Sequence, residues 1–321
     1  MKSIVEATKE YLEYGKNGKR LAEKTILAYG NDMKRFLEFC EEKKGKSRAN
    51  IFVEEIQGDD VREYIYTENN RRKAKTVKRR MACLRGFYTY LENQGEVDEN
   101  PFCKLKFRIK DKTLLPDCLS LLEMKQILDV AYAYAPDWPA SVSEPLKLFL
   151  RTRNAAILEM LFATGLRVHE LCKLTYEEFD LEQGALRILG KGQKERTLYI
   201  GSESVLKSVR EYLRRAEDLH MRSAYVFLNR SGEPISCQTV RMMVRHYAEL
   251  AGITRRITPH TFRHTFASLL LEEGVDIKYI QEFLGHSSIS TTQIYLHTSE
   301  ARKRQILTDM HPRERLCVTN A

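Results

Sequence analysis

Six side chains of this sequence could together hold and cleave a phosphodiester. Two arginines and a lysine can neutralise phosphate oxygens, two histidines can move protons near neutral pH, and a tyrosine hydroxyl can attack phosphorus. In chain order they are Arg167, Lys191, His260, Arg263, His286 and Tyr295. No acidic cluster of the kind that holds a catalytic metal accompanies them in the sequence. The set therefore predicts phosphoryl transfer on a nucleic acid without a metal or other cofactor.

The first two of these residues lie at predicted turns. Arg167 follows Gly165 between two helical stretches, where a glycine permits a sharp turn and the next helix can hold the guanidinium inward. Glu170, three residues later, could brace that helix or the arginine. Lys191 lies between two glycines at the tip of a predicted β-hairpin made by 186–189 and 197–200. Each is also compatible with an ordinary surface position.

The clearest local signal is the start of a helix near residue 258. Thr258 is a typical N-cap, Pro259 suits the first helical turn, and His260 follows beside the exposed amides. A helix N-terminus attracts phosphate, and Arg263 lies on the same face as His260. His264 is better explained by helix packing.

The last two residues of the set follow a predicted helix end. Gly285 predicts the C-terminal turn from which His286 emerges, and the polar run 287–290 can cap a helix that carries Tyr295. The interval is short enough to return both side chains to one pocket. Without the other five residues, Tyr295 would be assigned to the hydrophobic core.

Other kinds of site fit the sequence less well. His260 and His264 have the spacing of half a zinc site, but the metalloprotease pattern H-E-x-x-H is absent and Arg263 would repel a cation. The sequence GKGQKER lacks the pattern of a nucleotide-binding P-loop, and no G-x-S-x-G elbow of a serine hydrolase is found.

Composition favours a polyanionic partner and a reducing compartment. The 321 residues carry a formal net charge of +9, and 43% are hydrophobic, which is sufficient for two folded domains. Seven cysteines are scattered without a C-x-x-C pair, as expected of reduced thiols. The first twenty residues lack an apolar signal core, and no apolar run is long enough to cross a bilayer. These features predict a soluble, cytoplasmic protein.

Hydrophobic periodicity predicts a mainly α fold with a small antiparallel β-sheet, in two domains. Residues 1–107 form a helical N-terminal domain, with helices over 25–42 and 59–66; 108–118 form a linker, and 119–321 form the catalytic domain. The spacing of Ser120 and Glu123 is that of a capping box. Residues 133–145, with three prolines, predict a surface loop before a helix over 153–164.

Two further segments are candidates for DNA contact. The stretch 71–85 is rich in Lys and Arg and contains no acid, which favours a helix that follows a DNA backbone over a merely solvated face. The residues proposed for this contact are Lys75, Lys78, Arg79 and Arg80. A later helix that contains Arg241 and Arg245 is a candidate for entry into the major groove.

The motifs ATGLRVHEL, GKGQKER, HTFRH and LGH, with the terminal Tyr295, resemble those of the tyrosine recombinases, or phage-type integrases, in the same order. The likeness covers most of 119–312, and the N-terminal region resembles the helical core-binding (SAM-like) domain more diffusely. One departure is His169, where many members carry Ser; that position is not catalytic.

The resemblance implies a two-domain clamp on double-stranded DNA with specific recombination sites. Tyr295 would form a 3′-phosphotyrosine without ATP or metal, Lys191 would protonate the departing 5′-oxygen, and His260 would assist at the nucleophile. Arg167, Arg263 and His286 would hold phosphate oxygens. Four protomers would assemble on DNA and exchange their C-terminal tails, with accessory DNA-bending or directionality factors as further partners.

Three functions remain open on the sequence. The first is a strand-exchange enzyme, either a mobile-element integrase or an Xer-type resolvase of chromosome dimers. The second is a DNA-relaxing topoisomerase with the same phosphotyrosine chemistry. The third is a DNA-binding regulator without catalysis, for which Tyr295 would have no use.

Overall fold

The computed structural model describes residues 2–102, 105, 117–133, 141–190 and 195–285. It divides the chain into two compact units, Met1–Thr113 and Leu114–Ala321. Apart from Asp117 and Cys118, the predicted linker 108–118 lies outside the described residues. The boundaries proposed from the sequence therefore stay predictions.

The first unit is helical. After α1 the chain makes one turn of π-helix, and two short 3-10 turns precede α3. Its helices are α1 (Ile4–Glu13), α2 (Glu23–Lys44), α3 (Gly58–Arg71) and α4 (Ala74–Asn93). Helix α4 buries an apolar stripe that includes Val77, Leu84 and Leu91 at helical spacing. That stripe joins residues such as Phe36 of α2 in one hydrophobic core.

The described part of the second unit combines seven helices with one small sheet. The helices are α5 (Leu121–Ala133), α6 (Glu144–Thr164), α7 (Val168–Lys173), α8 (Glu203–Asp218), α9 (Cys237–Leu250), α10 (Pro259–Glu272) and α11 (Ile277–Leu284). The strands are β1 (Phe179–Asp180), β2 (Ala185–Leu189) and β3 (Glu195–Tyr199). They form an antiparallel sheet in the order β1-β2-β3. The mainly α fold with a small antiparallel sheet is confirmed.

A second hydrophobic core lies around α6 in this unit. Ile157, Leu158 and Leu161 of α6 are fully buried, and the core includes Leu186 of the sheet and Phe262 of α10. Helix α6 ends where the first site residue, Arg167, begins the next turn. The buried residues of α6 therefore anchor the turn that carries Arg167.

Several element boundaries differ from prediction. The predicted helix 59–66 extends to Arg71, and β1 was not predicted. The helix predicted over 153–164 begins at Glu144, so the last part of the predicted loop 133–145 is helical instead. Pro145 misled the prediction because a proline in the first turn loses no intrahelical hydrogen bond. Residues 134–140 of that loop lie outside the described residues.

Candidate active site

Arg167 is positioned by a tight turn between α6 and α7. Gly165 ends α6 with a φ of 60°, and its amide donates to Leu161. A β-carbon at Gly165 would also lie only 2.6 Å from the ring of Phe266. Backbone conformation and space both require glycine here. The turn leaves Arg167 as the N-cap residue of α7.

Glu170 fixes Arg167 from within the first turn of α7. Its Oε2 accepts the backbone amide of Arg167 at 2.9 Å, and its Oε1 accepts Nη1 of the same residue at 2.8 Å. Burial acts to raise the pKa of Glu170, but hydrogen bonds and charge from Arg196 and Arg167 outweigh it and lower that pKa to about 2. Glu170 is thus a carboxylate at neutral pH and holds the arginine in one orientation.

Helix α10 carries the second pair of site residues. The Thr258 hydroxyl accepts the amide of Thr261, and Pro259 occupies the first turn, as predicted from the sequence. His260 is exposed in that first turn, whereas Arg263 is only 4% exposed. The two residues that the sequence places on one face of the helix therefore differ sharply in their access to solvent.

Arg263 and Arg167 meet at the end of α11. Arg263 donates from Nη1 to the carbonyl oxygen of Gly165 at 2.8 Å and from Nη2 to that of Leu284. Arg167 donates from Nη2 to the carbonyl oxygen of Gly285 at 3.0 Å. Side chains 96 positions apart in the sequence thus contact consecutive carbonyl groups of one turn. That turn leads directly to His286.

A third arginine at the same turn was missed from the sequence. Arg196 donates from Nε to the carbonyl oxygen of Phe283 at 2.9 Å. It also donates from Nη1 and Nη2 to the two oxygens of Glu170, at 3.1 and 2.7 Å. The alternation of β3 held a signal, because Arg196 falls on the same face as the buried Leu198.

Three of the six predicted residues, Lys191, His286 and Tyr295, lie outside the described residues. The predicted C-terminal tail does as well. The roles of all six stay predictions, and the observed geometry concerns Arg167, His260 and Arg263. The position of Gly285, which directly precedes His286 in the chain, is nonetheless described.

His264 lies partly buried on α10. Burial lowers its pKa, and the nearby charges of His260 and Arg263 lower it further. The neutral imidazole is favoured, in keeping with the packing role expected of it. Among the residues with described positions, no three His, Cys, Asp or Glu side chains are grouped as they would be to hold a metal ion.

The basic side chains of α4 differ in their exposure to solvent. Lys75 and Lys78 are exposed. Arg79 is also exposed but ion-pairs with the buried Asp32 of α2, while Arg80 is 9% exposed and ion-pairs with Glu68 of α3. The acids missing from the segment are therefore supplied by other helices. The lysines are the stronger candidates for DNA contact, and Arg80 is better explained as a structural residue.

The candidate residues on α9 are both exposed. Arg245 donates from Nε to Glu249 at 2.7 Å, one helical turn away, while Arg241 lies nearer the start of the helix. Because such an exposed ion pair contributes little to stability, Arg245 can exchange Glu249 for another anionic partner.

In the described portion of the chain, no helix is both long and apolar enough to cross a membrane.

Two sequence families match this chain. Residues 141–302 match the phage integrase family, and residues 8–95 match the phage integrase N-terminal SAM-like domain. A tyrosine recombinase of Agathobacter rectalis is 39% identical over 95% of both chains. The tyrosine recombinase XerC of Thermodesulfovibrio yellowstonii is 36% identical over 90% of both.

Solved structures share the fold. The site-specific recombinase XerH, bound to a difH substrate in a pre-cleavage complex, matches with a TM-score of 0.71 and 22% identity. The match covers 96% of this chain and 85% of the other. The fold described above is thus similar to that of this recombinase, and all six predicted residues fall within the matched range 141–302.

Proposed function

This chain belongs to the phage integrase family and is a tyrosine recombinase, and we propose that it cuts and rejoins DNA at specific sites through a 3′-phosphotyrosine intermediate. Double-stranded DNA is its substrate. The observation that carries the proposal is the convergence of Arg167 and Arg263 on the turn that leads into His286.

In the proposed reaction Tyr295 is the nucleophile. Its hydroxyl oxygen forms a bond to the scissile phosphorus while the bond from phosphorus to the 5′-oxygen breaks, leaving a 3′-phosphotyrosine and a free 5′-hydroxyl. His260 assists removal of the phenol proton, and Lys191 donates a proton to the 5′-oxygen. The reverse step uses a 5′-hydroxyl from another strand. One phosphodiester is exchanged for another, so no ATP is required.

The arginines lower the main energetic barrier to this reaction, which is the attack of a tyrosine hydroxyl on a negatively charged phosphate. A tyrosine with its ordinary pKa of about 10 is a poor nucleophile at neutral pH. Arg167, Arg263 and His286 would bind the non-bridging oxygens and stabilise the charge that accumulates in the pentavalent state. Loss of one such group typically costs about 10²-fold or more in rate. These cations supply the stabilisation that a metal provides in other nucleases, so we expect activity in EDTA.

The assembly belongs to the same proposal. Four protomers would act on two DNA sites, the tail after Tyr295 would dock onto a neighbouring protomer, and accessory factors would set direction. An enzyme of this kind would act in the cytoplasm. The named relatives XerC and XerD favour an Xer-type role over that of a mobile-element integrase.

The decisive experiment traps the covalent intermediate on whichever DNA sites the protein selects. Sheared genomic DNA of the source organism is incubated with the protein in EDTA, denatured, and searched for DNA that stays attached to protein. We expect attached DNA ends to map to a few sites for the native chain and to vanish in Tyr295→Phe, which lacks only the hydroxyl.

Binding provides the control. Tyr295→Phe should retain affinity for the recovered sites, because the phenyl ring and every cation are kept. Adducts that persist in this variant would place the nucleophile at another residue. Site-selective binding without any adduct in the native chain would instead identify a DNA-binding regulator.

A further inference from the structure

Arg196 occupies an inward position on β3 that an apolar residue would ordinarily fill. It pairs across the ladder with Ile188, and its neighbours on that face, Leu186 and Leu198, are buried. The Arg196 side chain itself is only 7% exposed. A cation held inside a hairpin needs a specific counter-charge, since an unpaired buried charge is strongly destabilising.

Glu170 is that counter-charge. Each of its two oxygens accepts one terminal nitrogen of Arg196, the fork geometry that a planar guanidinium makes with a carboxylate. The same carboxylate accepts the backbone amide and Nη1 of Arg167. Each oxygen of Glu170 therefore accepts from both Arg196 and Arg167. Whatever holds the carboxylate in place also determines where the Arg167 guanidinium lies.

The third donor of Arg196 reaches the end of α11. Its Nε donates to Phe283, two residues before Gly285. A β-carbon added at Gly285 would lie 3.0 Å from Nη1 of Arg196, and Gly285 has a φ of 59°. The turn that receives Arg167 thus packs directly on the Arg196 guanidinium, and glycine is required for this close approach.

We propose that Arg196 is a positioning residue of the recombinase site. It binds both Glu170 and the end of α11, and so fixes Arg167 in the orientation that contacts the scissile phosphate. It acts through its contacts and touches no phosphate itself. The inference rests on the proposed function and assigns a role to a residue outside the six predicted ones.

Arg196 also links the β2–β3 hairpin to Glu170 and to the end of α11. Arg196 is the second residue of β3, directly after the outermost ladder pair, Leu189 and Glu195. Residues 190–194, which include Lys191, join the two strands at that end. One guanidinium therefore ties the base of the segment that carries Lys191 to α7 and to α11.

The test compares Arg196→Met and Arg196→Lys with native protein on a DNA site recovered by adduct mapping. Methionine keeps length without charge; lysine keeps charge but cannot bond both Glu170 oxygens and Phe283 in one plane. The measured quantity is the rate of adduct formation per DNA-bound molecule in a single turnover. We expect losses of about 10-fold for lysine and about 100-fold for methionine, the range seen when a supporting partner is removed.

DNA affinity and pH separate positioning from mere folding. Affinity should stay near the native value in both variants. Adduct formation by Arg196→Met should also fall more steeply than that of the native chain as pH is lowered from 8 to 5, because Glu170 keeps only Arg167 as a contacting cation and its pKa rises with burial, whereas protonation of His260 affects both proteins alike. In the native chain Glu170 has a pKa of about 2 and stays a carboxylate across that range, so protonation of Glu170 should not lower the native rate.

Arg187→Met is the matched control. Arg187 lies on β2 of the same hairpin but faces solvent, where its Nη2 donates to the carbonyl oxygen of Glu177. Its loss should leave adduct formation unchanged. Should Arg196→Met fail to fold, Arg196→Lys decides, since it retains the buried charge pair.

The outcomes distinguish the two proposals. Native-like rates in both Arg196 variants, or an equal loss in Arg187→Met, would overturn the positioning role while native adducts still support the recombinase. Absence of adducts from the native chain would overturn the proposed function and this inference with it.

Discussion

The centre of the site is a cluster of four side chains in which positive charge exceeds negative. Arg167, Arg196 and Arg263 gather at the end of α11, and Glu170 is a carboxylate that contacts two of them. Glu170 orients two of the arginines without cancelling all of their charge. A helix C-terminus itself favours cations, so the end of α11 stabilises the positive charge of these arginines.

The lowered pKa of Glu170 predicts how the free energy of unfolding depends on pH. Its pKa is about 2 in the folded protein, against an ordinary value of 4.5, so the folded state favours the carboxylate. A depressed pKa gives stability that is complete above about pH 5 and is lost as pH falls toward 2. The difference corresponds to on the order of 3 kcal/mol in the free energy of unfolding.

Urea unfolding from pH 7 to pH 2, followed by circular dichroism, measures this contribution. Glu170→Gln should be less stable than the native chain at pH 7, and the difference should shrink as pH falls. Glu177→Gln, at an exposed acid seven positions later in the sequence, should follow the native curve. Parallel curves for Glu170→Gln and the native chain would remove Glu170 as the source of the acid sensitivity.

At single positions, sequence could predict the residue types but not their partners. The cap at Thr258 and the turns at Gly165 and Gly285 were predictable because such signals are local. Arg196 was not, because its two partners lie 26 and 87 positions away and only the folded chain brings them together. An inward cation on a strand was the available clue, and it names no partner.

At the level of elements, predictions that rest on local sequence signals were mostly right, and those that depend on distant partners were wrong more often. The β2–β3 hairpin could be predicted because alternating apolar residues flank a glycine-rich turn. Helix α6 began nine residues earlier than predicted, since Pro145 is a helix breaker inside a helix but not at its start. The absence of acids from 71–85 favoured a helix that follows a DNA backbone, yet Asp32 and Glu68 pair with Arg79 and Arg80 from other helices.

Helix α4 carries a prediction that follows from this correction. Lys75→Gln with Lys78→Gln removes two exposed charges, and should lower the slope of log affinity against log salt by about two if each contacts one phosphate. The measurement is DNA binding by fluorescence anisotropy between 50 and 300 mM salt. Lys46→Gln, which removes an exposed lysine whose Nζ lies 2.9 Å from Glu55, is the control and should leave the slope unchanged. An unchanged slope in the double variant would return α4 to an ordinary solvated face.

For the whole molecule, the two units have separate hydrophobic cores that share no residue. Each unit also matches its own family domain, 8–95 in the first and 141–302 in the second. Such units can each keep their fold while the chain between them is altered. If both contact DNA, their connection raises the effective concentration of the second contact after the first has formed.

Cutting that connection should therefore weaken DNA binding without unfolding either unit. A specific protease site placed within 106–116, at the boundary between the units, lets one preparation be compared before and after cleavage. We expect affinity for a mapped DNA site to fall by about 10²-fold or more, because the second contact is no longer intramolecular. Circular dichroism should stay unchanged, since the two cores are independent, and protease treatment of protein without the inserted site controls for cleavage elsewhere. Full affinity after complete cutting, with the halves separating on gel filtration, would mean that one unit alone carries the binding.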